Sequence, residues 1–306
     1  MAVHPATTRH PGHVNYRRAP SRHRAPRPAP WLSAALLVAL LTACAPTAIT
    51  RVTGDPGLPP SDAALATGGP FATTVDAGGL RSAFGCAVEY EFHRPEGSTS
   101  DVTVVLAHGF LRSLASMRGW AEHLASHGVP TAVVSFCNSS PFAGRHDRNA
   151  ADLVAVADAV RAPGGGVLYA GFSAGGLAAL LAAADDPASV GLLGLDAVDS
   201  GGGGRPSDGA PGLAANATGL TVPALFLAAE PSSCNADGNM LPVAAQIASA
   251  QVVRVPNATH CHFEDPYAPL CERLCGRVEP PEAAEAIRAT IRALATAWVL
   301  AYAGPP

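Results

Sequence analysis

The stretch from Val167 to Ala184 constrains this chain more than any other. A short apolar run, Val167–Ala170, passes into Gly171-Phe172-Ser173-Ala174-Gly175-Gly176 and then into an Ala/Leu helical segment. A strand that enters a helix through G-x-S-x-G must turn sharply at the serine. Glycines at 171 and 175 remove the Cβ atoms that would collide in such a turn. The serine oxygen is then lifted above the end of a sheet, at the positive N-terminus of a helix.

The flanking pattern says what that sheet is. From about residue 71 onward, β-branched apolar runs alternate with helical segments. The expected strands are Cys86–Phe92, Val102–Ala107, Thr131–Phe136, Val167–Ala170, Val190–Leu195, Val222–Ala228 and Gln251–Val255. The expected helices are Leu114–Ser126, Arg148–Arg161, Ala174–Ala184, Leu241–Ala250 and Glu282–Ala301. The strands are continuously apolar rather than alternating, as burial on both faces requires. An α/β fold is therefore expected, a three-layer α/β/α sandwich with a mostly parallel sheet, in one domain over residues 71–306. The Gly-rich residues 201–219 read as a surface loop.

The 306-residue chain carries 20 basic residues, and all are Arg. Without Lys there is no Schiff-base amine and no phosphate-loop ammonium. Six Arg lie in residues 1–43, which contain no acid, leaving 14 Arg against 24 acids in the rest. The net charge of −4 argues against nucleic acid as a partner. Trp31–Ala43 is a 13-residue uncharged run, too short to span a bilayer, where about 20 residues are needed. Behind an Arg-rich head it reads as the apolar core of a secretory signal over residues 1–43. It ends Leu41-Thr42-Ala43-Cys44, which resembles the bacterial lipobox. That resemblance implies lipid modification of Cys44, an exported cell-envelope protein held to the membrane only by its anchor, and a Pro/Gly-rich tether over residues 44–70. Setting Cys44 aside leaves six cysteines (86, 137, 234, 261, 271, 275), an even number suited to disulfides in an exported protein.

A serine hydroxyl needs a base. After Gln251–Val255 comes Pro256-Asn257-Ala258-Thr259-His260-Cys261-His262. His260, where the loop leaves the strand, is the first candidate, and His262 is the second. The acid that would orient that ring has several candidates. Asp196, at the C-terminal tip of Val190–Leu195, comes first because ligands bind along that edge of a parallel sheet. Asp199 follows, then Glu230 and Asp237. No Asp stands directly after Val222–Ala228, where Ser232 takes the place. Backbone N–H groups of Ala174 and Phe110 are the expected oxyanion donors. His108, before Gly109, reads as a brace for that turn. Trp120, Phe110 and Phe142 are candidate cleft-lining aromatics. The constellation calls for neither metal nor organic cofactor.

These residues resemble the α/β-hydrolase superfamily. The carrying pieces, in chain order, are His108-Gly109-Phe110, Gly171 to Gly176, Leu195-Asp196-Ala197 and Ala258-Thr259-His260. Within it, Leu124-Ala125-Ser126-His127-Gly128 and Asn138-Ser139 are similar to the chlorophyllase and polyester-hydrolase (cutinase-like) branch. Chlorophyllases carry their acid in a segment similar to Gly194-Leu195-Asp196-Ala197, which favours Asp196. Cutinase-like enzymes place it one strand later. The resemblance implies an esterase acting on a small-molecule or lipid-like ester through an acyl-enzyme. A non-catalytic binder on the same scaffold and an amidase are the alternatives. It also implies the pairing Cys86–Cys137, and for the last four cysteines Cys234–Cys261 with Cys271–Cys275 or an exchange of partners among them.

Overall fold

The apolar runs fold as parallel strands at the centre of one sheet, and the segments between them fold as the helices that cover it. The computed structural model describes residues 50–53, 62–140, 143–200, 212–275 and 279–304. In chain order the elements are β1 (Thr50–Thr53), β2 (Thr73–Arg81), β3 (Ala87–Pro95), β4 (Val102–Ala107), α1 (Arg118–Ser126), β5 (Thr131–Ser135), β6 (Ser139–Ser140), β7 (Ala143–Gly144), α2 (His146–Val160), β8 (Gly166–Phe172), α3 (Ala174–Asp185), β9 (Ser189–Leu195), β10 (Ala224–Ala228), α4 (Leu241–Ala244), β11 (Ala250–Arg254), α5 (Pro269–Cys275) and α6 (Pro281–Ala303).

Among the described residues, nine strands form one sheet in the order β1-β11-β10-β9-β8-β4-β5-β3-β2, and β6 pairs with β7 in a small separate ribbon. The strands from β11 to β5 run parallel, while β3, β2 and β1 join antiparallel at the two ends. From β4 the chain steps to β5 on one side, then returns through α2 to β8 on the other. That reversal leaves a crevice beyond the C-terminal ends of β4 and β8, where α/β sheets of this kind hold ligands.

Two apolar cores lie on opposite faces of the sheet. One packs α2, α3 and α4 against Val105, Tyr169, Leu192, Phe226 and Val252. The other packs α1 and α6 against Val104, Leu106, Leu168, Leu193 and Leu225. Alternate residues of one strand thus face alternate cores, which is why these strands are apolar throughout. The expected α/β architecture with helices on both faces is what the chain forms. Nine of the twelve residues of α3 are buried. Its Ala/Gly composition lets it lie close to the sheet and to α2.

Several expectations are corrected. The helix expected over Leu241–Ala250 closes after Ala244, and strand β11 already begins at Ala250. Strand β2, absent from the expected strands, carries no apolar pattern because it is an edge strand with mostly exposed residues and a Gly78-Gly79 pair inside it. Within the stretch expected as a tether, Thr50–Thr53 pairs with β11 and Ala63–Ala66 forms a 3-10 turn capped by Asp62. Residues 1–43, expected as a signal segment, lie outside the described residues, as do Cys44 and Phe142. Cys86–Cys137 forms as expected, but the other cysteines pair Cys234–Cys275 and Cys261–Cys271. Both Cys271 and Cys275 lie on α5, and from that helix each bonds to a cysteine of a different loop, Cys261 and Cys234 respectively.

Candidate active site

Register places the site. Phe172 of β8 pairs with Leu195 of β9, and Leu195 with Leu227 of β10. The residues that follow those pairs therefore emerge side by side on the C-terminal edge. Ser173 N–H donates to Leu195 O at 3.0 Å, and Asp196 N–H donates to Leu227 O at 2.7 Å. One strand further out, Val255 N–H donates to Ala228 O at 2.9 Å, and the chain beyond it carries His260. Residues far apart in sequence thus become neighbours because their strands are.

Ser173 sits at φ 56°, ψ −126°, in the left-handed half of backbone space that costs a side-chain-bearing residue about 1–3 kcal/mol. The surroundings hold it there. Gly176 N–H and Val198 N–H both donate to its carbonyl, at 2.9 and 3.0 Å. Glycine is required on either side. A Cβ at 171 would stand 2.2 Å from Gly175 O, and one at 175 would stand 2.3 Å from His108 O. A serine in the helix-capping position ordinarily bonds to its own helix. Here it makes no such bond, and its Oγ lies 3.0 Å from His260 Nε2.

The other ring nitrogen, His260 Nδ1, lies 2.6 Å from Asp196 Oδ2. With the carboxylate there, Nδ1 carries the proton and Nε2 is left as an acceptor for the serine hydroxyl. The ring packs at a 34° tilt against Phe172 with centroids 4.6 Å apart, so the residue between Gly171 and Ser173 supports the imidazole. All three side chains are nearly buried, with 7%, 7% and 3% of Ser173, His260 and Asp196 exposed. The loop that carries His260 is clamped from behind. Trp120 Nε1 donates to Phe263 O at 2.9 Å, Gly119 N–H donates to Asp265 O at 3.0 Å, and Arg288 and Arg292 of α6 pair with the Asp265 carboxylate. Trp120 is therefore a core residue of α1, not part of a cleft.

One residue of this site has no counterpart in the sequence reading. Asn235, fully buried, donates from Nδ2 toward both oxygens of Asp196 at 3.3 and 3.2 Å and to Glu230 O at 3.0 Å. Its Oδ1 accepts from Ser232 N–H at 2.8 Å. Ala229 N–H adds a third donor to Asp196 at 2.9 Å. Asn235 stands on the 3-10 turn Ser233–Gly238 after β10, which Cys234 ties to Cys275. The turn lacking an acid thus supplies the group that holds the acid of its neighbour. An Asn inside a Ser-Cys-Asn-Ala-Asp run carries no local signal of such a role.

The other candidates lie elsewhere. Asp199 sits against Gly212, with its backbone held by Asn239. Glu230 reaches Arg254 at 3.4 Å, and Asp237 lies in the turn at φ 56°. His262 is buried against Tyr267 and accepts the Thr259 N–H on Nδ1 at 3.0 Å. Its Nε2 lies 3.9 Å from Glu272 Oε1.

The β4 turn completes the site. A Cβ on Gly109 would stand 3.0 Å from Ser173 Cβ, so the Gly109–Phe110 peptide lies against the serine. His108 braces it: Nδ1–H donates to Gly109 O at 2.7 Å, and Nε2 accepts from Phe136 N–H at 3.1 Å. Burial pushes the His108 pKa down to about 4, so the ring is neutral and keeps both bonds at neutral pH. Arg112 ties the same turn to buried Glu264, four residues after His260. Ala174 is the first residue of α3, and its N–H has no acceptor within the helix. Phe110 and Leu111 are exposed. Among the described residues, the grouping of metal-ligating atoms is Cys261, Cys271 and Cys275. All three are oxidised in disulfides, which leaves no thiolate for an ion.

No family model matches the chain, and no curated protein matches it.

Proposed function

We propose that the chain is a serine hydrolase of the α/β-hydrolase fold that cleaves carboxylic esters. The observation that carries this reading is the unbroken chain of contacts from Ser173 Oγ to His260 Nε2 and from His260 Nδ1 to Asp196. In the proposed cycle His260 takes the Ser173 proton as the oxygen attacks the ester carbonyl. Asp196 holds the ring in the Nδ1–H form and stabilises its charge. The N–H groups of Phe110 and Ala174 receive the developing oxyanion, a contribution of about 3–4 kcal/mol per donor where such holes have been dissected. His260 then gives its proton to the departing alcohol, and water repeats the sequence on the acyl-enzyme.

The strand order and the strained serine turn support the superfamily reading. A scaffold that only binds would have no use for a strained serine, an imidazole and a buried carboxylate kept in line. The substrate is proposed to be a small-molecule or lipid-like ester. Three disulfides in the folded region support an oxidising compartment, and with the lipobox-like Cys44 they support an exported, lipid-anchored protein. No helix among the described residues is long and apolar enough to cross a membrane. Hydrolysis of a short-chain nitrophenyl ester by the purified chain tests the reading, with a matched anilide separating esterase from amidase. Ser173→Ala is expected to lower kcat by several orders of magnitude, approaching the ~10⁶-fold of triad knockouts. Unchanged hydrolysis by that variant contradicts the proposal.

A further inference from the structure

Two disulfides meet behind the site. Cys234–Cys275 is partly exposed, whereas Cys261 and Cys271 are 0% and 4% exposed. The Cys275 sulfur lies 3.5 Å from Cys261 Sγ and 3.9 Å from Cys271 Sγ. Both contacts are at van der Waals distance for sulfur. A partly exposed disulfide therefore touches a buried one through a single sulfur.

We propose that these four cysteines form one thiol–disulfide exchange site, in which a small external thiol opens the outer bond and Cys275 passes the opening to the inner one. The chemistry balances without an oxidant. An external thiolate attacks Cys234 Sγ, forming a mixed disulfide there and releasing Cys275 as thiolate. That thiolate attacks the neighbouring disulfide and bonds to Cys261 or Cys271, and the electron pair of the broken Cys261–Cys271 bond leaves on the other sulfur, which takes a proton from solvent. Attack must be in line with the bond that breaks. The near-equal distances place Cys275 beside the inner bond, so a side-chain rotation at Cys275 precedes transfer. Cys275 is partly exposed and is the last residue of α5.

The site adjoins the residues described above. Cys234 precedes Asn235, and Cys261 follows His260. Exchange to Cys261–Cys275 keeps the His260 loop tied to α5 but releases the Asn235 turn. Resting on the proposed hydrolase reading, the exchanged form is expected to react more slowly at Ser173 than the oxidised form. A chain with no reactive serine in either state would fail that reading and leave the exchange intact.

Treating the oxidised full chain with equimolar reduced glutathione, trapping thiols with N-ethylmaleimide and mapping the peptides by mass tests the proposal. The expected map has glutathione on Cys234, Cys275 bonded to Cys261 or Cys271, and label on the sulfur released. Label confined to Cys234 or Cys275, with Cys261–Cys271 intact, overturns it. In Cys234→Ser/Cys275→Ser, release of the Cys261 and Cys271 thiols by glutathione is expected to slow by about tenfold or more, since direct attack depends on access. An unchanged or faster release contradicts the relay, and the map of the unsubstituted chain decides alone if that variant does not fold.

Discussion

Asn235 is the residue on which the proposed chemistry leans without touching it. The Asp196 carboxylate sits at φ 42° and receives N–H donors from Ala229 and Asn235 while it holds His260. Hydrogen bonds to a charged group contribute about 1.5–3 kcal/mol each. Asn235→Leu is expected to lower kcat roughly 10- to 100-fold at nearly constant KM, because the carboxylate is then free to leave the ring. Asn235→Asp is expected to behave differently. Two carboxylates at that distance share a proton more readily than one alone, so the acid limb of the pH–rate profile moves to higher pH. If Leu and Asp at 235 give the same profile, the side chain only fills space. Ser173, His260 and Asp196 were each legible in the sequence because each sits next to a strand end with a recognisable neighbour: glycines, Ala-Thr, or a Leu-Asp tip. Asn235 was not. Its partner lies 39 residues away, and nothing within its own turn distinguishes it from a loop cap.

At the scale of elements, the site depends on how closely α3 can approach the sheet. A Cβ on Gly176 would stand 2.5 Å from Ala197 Cβ, and Ala197 is the residue after Asp196. Gly176→Ala therefore has to push α3, or the tip of β9, outward. Overpacking of this kind costs about 1–3 kcal/mol, and the displacement falls on Asp196, so a lower Tm and a lower kcat are expected together. Ala197→Gly removes the opposing methyl group, and in the double variant both quantities are expected to recover. A double-mutant cycle with zero coupling would show that the two positions do not press on each other. The central strands and α3 were legible because burial on both sides leaves an apolar run that only a covered sheet can hold. The edges were not. Strand β2 exposes most of its residues and β1 is four residues long, so neither carries the pattern. The partners of Cys234, Cys261, Cys271 and Cys275 stay open in the sequence for the same reason, since α5, seven residues long, is too short to announce itself and it decides which sulfurs meet.

For the whole molecule, buried imidazoles set the response to acid. Burial pushes His108 and His123 down to about 4 each. His123 lies in the far core, bonded to Thr296 at 2.9 Å. A depressed pKa means that the unfolded chain binds the proton first. Stability is then complete above the unfolded value near 6.5 and falls as pH drops toward 4. Each ring contributes about 3 kcal/mol over that window. Denaturant titrations at pH 7, 5.5 and 4.5 are expected to show a progressive loss, and His123→Gln should flatten it. A stability that is level from pH 7 to 4.5 would mean that these rings are already protonated or solvated in the native state.

The central claim is that Ser173 is an activated nucleophile, and a fluorophosphonate probe reads that directly because an ordinary serine does not react with it. Intact-mass and peptide mapping after incubation are expected to find one phosphonyl adduct, on Ser173. His260→Ala should abolish it, and Asp196→Asn should slow it by orders of magnitude, since the ring then loses the partner that fixes its tautomer. No adduct on the folded, oxidised chain, or an adduct that forms equally fast without His260, would contradict the account.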